Sequence, residues 1–150
     1  MPPEVWFYHL ERAGLEAVLP PLLEKTLDRG WRALVRTTSA ERMAALDEAL
    51  WSYRDESFLA HGRADHPDAE HQPILISDRA DAPNTPDVLL LIDGAEPGEM
   101  AGLTRVMLLF DGRDEEALAA ARARWTAYKE QGLSLAYWQQ GGDGRWEKKA

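Results

Sequence analysis

Ile74-Leu75-Ile76-Ser77 and, further on, Val88-Leu89-Leu90-Leu91-Ile92 are the stretches on which the fold turns. Each is a short apolar run bounded by turn residues, the second announced by Ala82-Pro83-Asn84-Thr85-Pro86-Asp87. Apolar runs of this length between turn signals read as buried strands. Upstream, Val5-Trp6-Phe7-Tyr8-His9-Leu10 is rich in β-branched and aromatic residues and reads as a first strand. Leu15, Val18, Leu19, Leu22, Leu23 and Leu27 then recur at helical spacing up to Gly30, with Pro20-Pro21 expected to bend or interrupt the first turns.

Ala33-Leu34-Val35-Arg36-Thr37 makes a second strand, and Ser39 is the N-cap of a helix running to Trp51 with Met43, Leu46, Ala49 and Leu50 on its apolar face. Residues 52–72 are polar and without a period, which predicts a long loop, and loops of that length are uncommon unless they serve a function. Downstream, 105–110 reads as a strand, Asp114-Glu115-Glu116 as the acidic start of a helix to about Gln131, and Gly132 as its C-cap. A last strand is expected over 133–138, and the glycine-rich remainder is expected to fray. The order β-α-β-α-β-β-β-α-β implies a single α/β domain over 1–140, with a largely parallel sheet covered by helices on both faces, and a polar tail over 141–150.

The formal net charge of -9 argues against broad adhesion to phosphate, so direct nucleic-acid binding is not expected. Cysteine is absent, which removes disulfides and thiolate metal sites and suits a reducing, cytoplasmic compartment. No stretch reads as a signal peptide or a membrane span. The turn after the first strand, His9-Leu10-Glu11-Arg12-Ala13-Gly14, matches neither G-x-G-x-x-G nor a P-loop, so no cofactor is expected.

His61, His66 and His71 share the long loop with Asp65, Asp68 and Glu70, a set that would bind zinc or support hydrolysis in a small metal-dependent enzyme if it converged. Its spacing fits no recognised metal motif, and a solvated polar loop is the plainer reading. Trp51 at a helix end and Phe58 in the loop read equally as core packing and as interface anchors. In the last helix Arg122, Trp125 and Lys129 share one face, with Arg124 and Tyr128 in a neighbouring stripe. An amphipathic helix with arginines over its rim accounts for this spacing, and so does a basic, aromatic binding surface.

Leu46-Asp47-Glu48-Ala49-Leu50-Trp51, followed by Glu56-Ser57-Phe58 and His61-Gly62, resembles the helix-and-loop block of the chi subunit family of the bacterial DNA polymerase III holoenzyme. Gln72-Pro73-Ile74-Leu75-Ile76 and Asn84-Thr85-Pro86-Asp87-Val88-Leu89 resemble its middle strands. The stretch from Ala121 to Gly132 resembles its C-terminal helix. This resemblance implies a Rossmann-like three-layer sandwich without a cofactor or catalytic residues, acting as an adaptor between the clamp loader and single-stranded DNA-binding protein. Arg122, Trp125 and Lys129 would hold the acidic, phenylalanine-ended tail of that protein, with Arg105 as a further basic residue. Leu118 and Thr126 stand where other members carry basic residues. Trp51, Phe58 and His61 would form a second surface, for the psi subunit or an equivalent partner.

Overall fold

The computed structural model describes residues 3–11, 14–52, 60–141 and 145–150. Its eight strands are β1 (Glu4–Leu10), β2 (Ala33–Arg36), β3 (His61–Arg63), β4 (Ile74–Ser77), β5 (Val88–Leu91), β6 (Arg105–Asp111), β7 (Leu135–Gln140) and β8 (Trp146–Lys148). The helices are α1 (Leu15–Asp28), α2 (Ala40–Trp51) and α3 (Glu115–Glu130). The strands form one sheet in the order β3-β4-β2-β5-β6-β1-β7-β8. Every neighbouring pair is parallel except β7 and β8.

Handedness decides which face each connection covers. A right-handed crossover puts its connection on one face when the chain steps one way along the sheet and on the opposite face when it steps back. The chain steps toward the β3 end from β1 to β2 and from β2 to β3, and α1 and α2 share one face, burying Leu19, Leu23 and Leu46 there with Tyr8, Val35 and Ile76. It steps back from β6 to β7, and α3 covers the other face, where Ala121 and Tyr128 meet Phe7, Leu34 and Leu89. The connections from β3 to β4 and from β5 to β6 also step back, and their Ala69, Ala95 and Leu103 pack on the α3 face. Three layers result. Burying each leucine of these clusters contributes roughly 1.5–3 kcal/mol.

Three departures from the sequence reading have local causes. Helix α1 runs unbroken through Pro20 and Pro21, at the cost of donors to the carbonyls of Glu16 and Ala17, because Val18, Leu19, Leu22 and Leu23 anchor it to the sheet. Among its described residues, the expected long loop contains β3 and a 3₁₀ turn, Ala69–His71. Strand β3 carries no apolar pattern and exists by pairing with the edge of β4, where a Cβ on Gly62 would stand 2.6 Å from Gln72 Cδ. The tail expected to fray supplies β8, antiparallel to β7, and its Trp146 ring meets Tyr8 edge-on at 5.0 Å.

Arg36, at the end of β2, is buried and donates to the carbonyls of Arg79, Ala80, Asp81, Glu96 and Pro97 at 2.7–3.3 Å. One guanidinium thus ties together the loops that follow β4 and β5.

Candidate functional site

Helix α3 forms because seven of its residues over 117–127 are alanine or leucine, the strongest helix formers, and because its N-terminus is capped. The Asp114 carboxylate accepts from the amides of Glu116 and Ala117 at 3.0 and 3.2 Å. Ala121 and Tyr128 are buried on the sheet, while Ala117, Leu118 and Trp125 pack at its margin. Trp125 lies half-buried, edge-on to Phe7 at 5.3 Å and to Tyr137 of β7 at 5.8 Å. Arg122 and Lys129 flank it on the exposed side. Neither makes an ion pair or side-chain hydrogen bond among the described residues. Arg124 differs: it donates to the carbonyls of Gly94 and Ala95 at 2.6 and 2.8 Å and pairs with Glu96 at 3.1 Å.

Tyr137 completes this margin. Burial pushes its phenol above the usual range, and the charge of Arg122 pulls against that. Its hydroxyl is hydrogen-bonded to His9 Nδ1 at 2.7 Å, and His9 Nε2 lies 3.0 Å from Glu11 Oε1. Sequence reasoning missed both Tyr137 and His9 as members of the site. The alternation of Leu135, Tyr137 and Gln139 on β7 was the available signal, since alternate residues of a strand share a face.

The second aromatic site lies at the far end of α2. Ser39 Oγ accepts from the Arg42 amide, and Met43, Leu46 and Leu50 are buried, so the helix is fixed up to its last turn. Trp51 then projects outward with 58% of its surface exposed. Its ring stands 4.6 Å from that of His61 on β3, and His61 Nε2 lies 2.9 Å from Asp47 Oδ1. Phe58 lies outside the described residues.

The other two histidines of that stretch stay apart from this pair. His66 is exposed in a turn, and His71 is exposed beside Glu70 at 3.4 Å. Among the described residues no group of three histidine or acidic side chains is placed to hold a metal ion, so the set expected from sequence does not converge. The crevice at the carboxyl ends of the strands, where α/β sheets commonly bind ligands, is a cavity of about 630 Å³. Its arginines are already paired, Arg42 with Asp93 at 2.8 Å and Arg113 with Asp111 at 3.0 Å.

Residues 2–136 match the family model described as DNA polymerase III chi subunit, HolC. The chain belongs to the DNA polymerase III chi subunit family. Within the chi family, the probable DNA polymerase III subunit chi of Rickettsia prowazekii (strain Madrid E) is 32% identical over 99 residues, 66% of this chain and 58% of that protein's length. The DNA polymerase III subunit chi of Pseudomonas aeruginosa PAO1 is 31% identical over 115 residues, 76% of this chain and 78% of that protein. The chain thus covers less than two thirds of the length of the Rickettsia relative.

One expectation drawn from the chi resemblance changes with this geometry. Arg105 does not join Arg122, Trp125 and Lys129, because it starts β6 with its guanidinium 3.7 Å over the Trp6 ring, on the face that carries α1. Leu118, which stands where other members carry a basic residue, packs against the α3-side core. Thr126 is exposed, and its hydroxyl donates back to the Arg122 carbonyl at 3.2 Å.

Proposed function

We propose that this chain is a non-catalytic adaptor of DNA replication, joining the DNA polymerase III clamp loader to single-stranded DNA-binding protein. The reading rests on family membership, and its site on one observation: Arg122 and Lys129 stand exposed and unpaired among the described residues, beside a half-buried Trp125, on a chain of net charge -9. Exposed cations beside an aromatic ring suit a short acidic segment with an aromatic end. The planar fork of Arg122 takes a carboxylate on two oxygens, and the margin formed by Trp125 and Tyr137 offers ring edges to a phenyl group. Lys129 adds a second charge two turns beyond Arg122 and one turn beyond Trp125.

The Trp51–His61 surface is the docking site for a second holoenzyme component, the psi subunit or an equivalent. An exposed tryptophan at a fixed helix end is a typical interface anchor. Its distance in the fold from α3, on the opposite face of the sheet, leaves both surfaces accessible at once.

The test is calorimetric titration with the C-terminal peptide of the host's single-stranded DNA-binding protein. Arg122→Ala is expected to weaken binding by about 1.5–3 kcal/mol, the scale of a hydrogen bond to a charged group, without a change in melting temperature. Affinity should fall as salt rises. Equal affinity of mutant and wild type would remove the proposed site from α3.

A further inference from the structure

Four of the chain's six tryptophans, Trp6, Trp31, Trp138 and Trp146, gather on the α1 face, away from both surfaces described above. They line a cavity of about 200 Å³ together with Lys25, Arg29 and Arg105. This is a concentration of positive charge on an acidic chain. Arg105 lies 3.7 Å over Trp6 and 5.4 Å from the ring of Trp31, which also carries Arg29 at 5.0 Å. The only acid near Arg105 among the described residues is Glu4, at 3.7 Å, and Lys25 and Arg29 have no ion pair there.

Two buried donors beside this cavity, Arg105 Nε and the indole Nε1 of Trp138, have no hydrogen-bond partner among the described residues. Buried donors left unmatched are costly. The like charges of Arg29 and Arg105 also repel, and burial adds to the cost of keeping Arg105 charged. An anion would relieve both penalties. Trp138 and Trp146 lie beyond residue 136, past the residues that match the family model, so two of the four lining tryptophans come from the C-terminal part of the chain.

We propose that this cavity is a second peptide site, which takes an acidic segment of a partner protein with its carboxylates on Arg29 and Arg105 and its apolar side chains against Trp138 and Trp146. The volume falls below the roughly 300–1,000 Å³ of small-molecule sites and suits one or two inserted side chains. A single strand of nucleic acid is a poorer fit. Base stacking needs free ring faces, whereas Arg105 already covers Trp6, and Trp6 and Trp138 pack on each other at 5.5 Å. The chain's net charge also opposes a polyanion.

The experiment follows the tryptophan indole N–H resonances of the full chain during titration with the peptide Ac-Asp-Glu-Leu-Phe-Asp-NH2, blocked at both ends so that no chain terminus takes part. A parallel titration uses a short oligothymidylate. The Trp138 indole resonance is expected to move with the peptide and not with the oligonucleotide. Affinity should drop at least about tenfold in Arg29→Gln and in Arg105→Gln, and stay unchanged in Arg122→Ala. Arg29 is exposed at the C-cap of α1, so its variant keeps the fold even where Arg105→Gln disturbs the packing on Trp6. Movement with the oligonucleotide alone, no movement with millimolar peptide, or loss of the response in Arg122→Ala would each overturn the proposal. The α3 site is tested separately, by a peptide with a free terminus, so failure here and failure there are distinguishable.

Discussion

Arg122 and Arg124 stand two positions apart on α3, and their surroundings give them different work. Arg124 is spent inside the fold on Gly94, Ala95 and Glu96, whereas Arg122 makes no ion pair or side-chain hydrogen bond among the described residues, the observation on which the proposed tail site rests. Spacing puts them in neighbouring stripes but cannot say which is spent, because the acceptors of Arg124 are mostly backbone carbonyls distant in sequence. Tyr8 offers a separate test at this scale. Burial beneath Trp146 pushes its phenol up to about 12, with Arg105 and Arg29 pulling the other way. A group whose pKa is higher in the folded than in the unfolded chain contributes stability below the unfolded value, near 10, and loses it as pH rises through the folded one. Stability should therefore fall between about pH 10 and 12, and the share owed to Tyr8 is on the order of 3 kcal/mol. Thermal melts of wild type and Tyr8→Phe across that range check this: the mutant curve should fall less steeply, and identical slopes would contradict the assignment.

Among the elements, β2 shows how a strand end organises its neighbours. Arg36 gives its donors to five carbonyls in two loops, so Arg36→Ala leaves several acceptors without partners and should cost at least about 3 kcal/mol. Urea denaturation would read this as a lower midpoint at unchanged slope. The end of α2 behaves in the opposite way. Trp51 is 58% exposed, so Trp51→Ala should change stability by no more than about 0.5 kcal/mol. Recovery of clamp-loader components by the tagged chain should be lost all the same, and a large stability loss with recovery intact would make Trp51 a packing residue. The strands β1, β2, β4, β5, β6 and β7 and all three helices were legible from apolar runs, helical spacing and caps. Strands β3 and β8 were not, because His61–Arg63 and Trp146–Lys148 carry no pattern of their own and owe their form to the edges they pair with. Likewise nothing in sequence tells that a Cβ on Gly112 would run into the His9 ring.

For the molecule as a whole, the direction of each step along the sheet sends α1 and α2 to one face and α3 to the other. That separation divides the residues singled out from sequence: Arg122, Trp125 and Lys129 on the α3 side, Trp51 and His61 at the end of α2, and Arg105 with the tryptophan cluster on the α1 face. The grouping of Arg105 with α3 failed because a residue's face depends on its strand register, and 105 is in register with Glu4 and Val88, positions that sequence alone does not pair. On the proposed reading, an adaptor of this design would hold two partners with little coupling, since sites that share no contacts act independently. The most direct measurement is amide and side-chain chemical-shift mapping of the full chain on titration with the tail peptide of the host's single-stranded DNA-binding protein. The predicted result is that Arg122, Trp125, Lys129 and Tyr137 move while Trp51 and His61 stay still. Shifts centred on Trp51 or on Arg105, or no shifts at saturating peptide, would contradict the placement of the adaptor's tail site on α3.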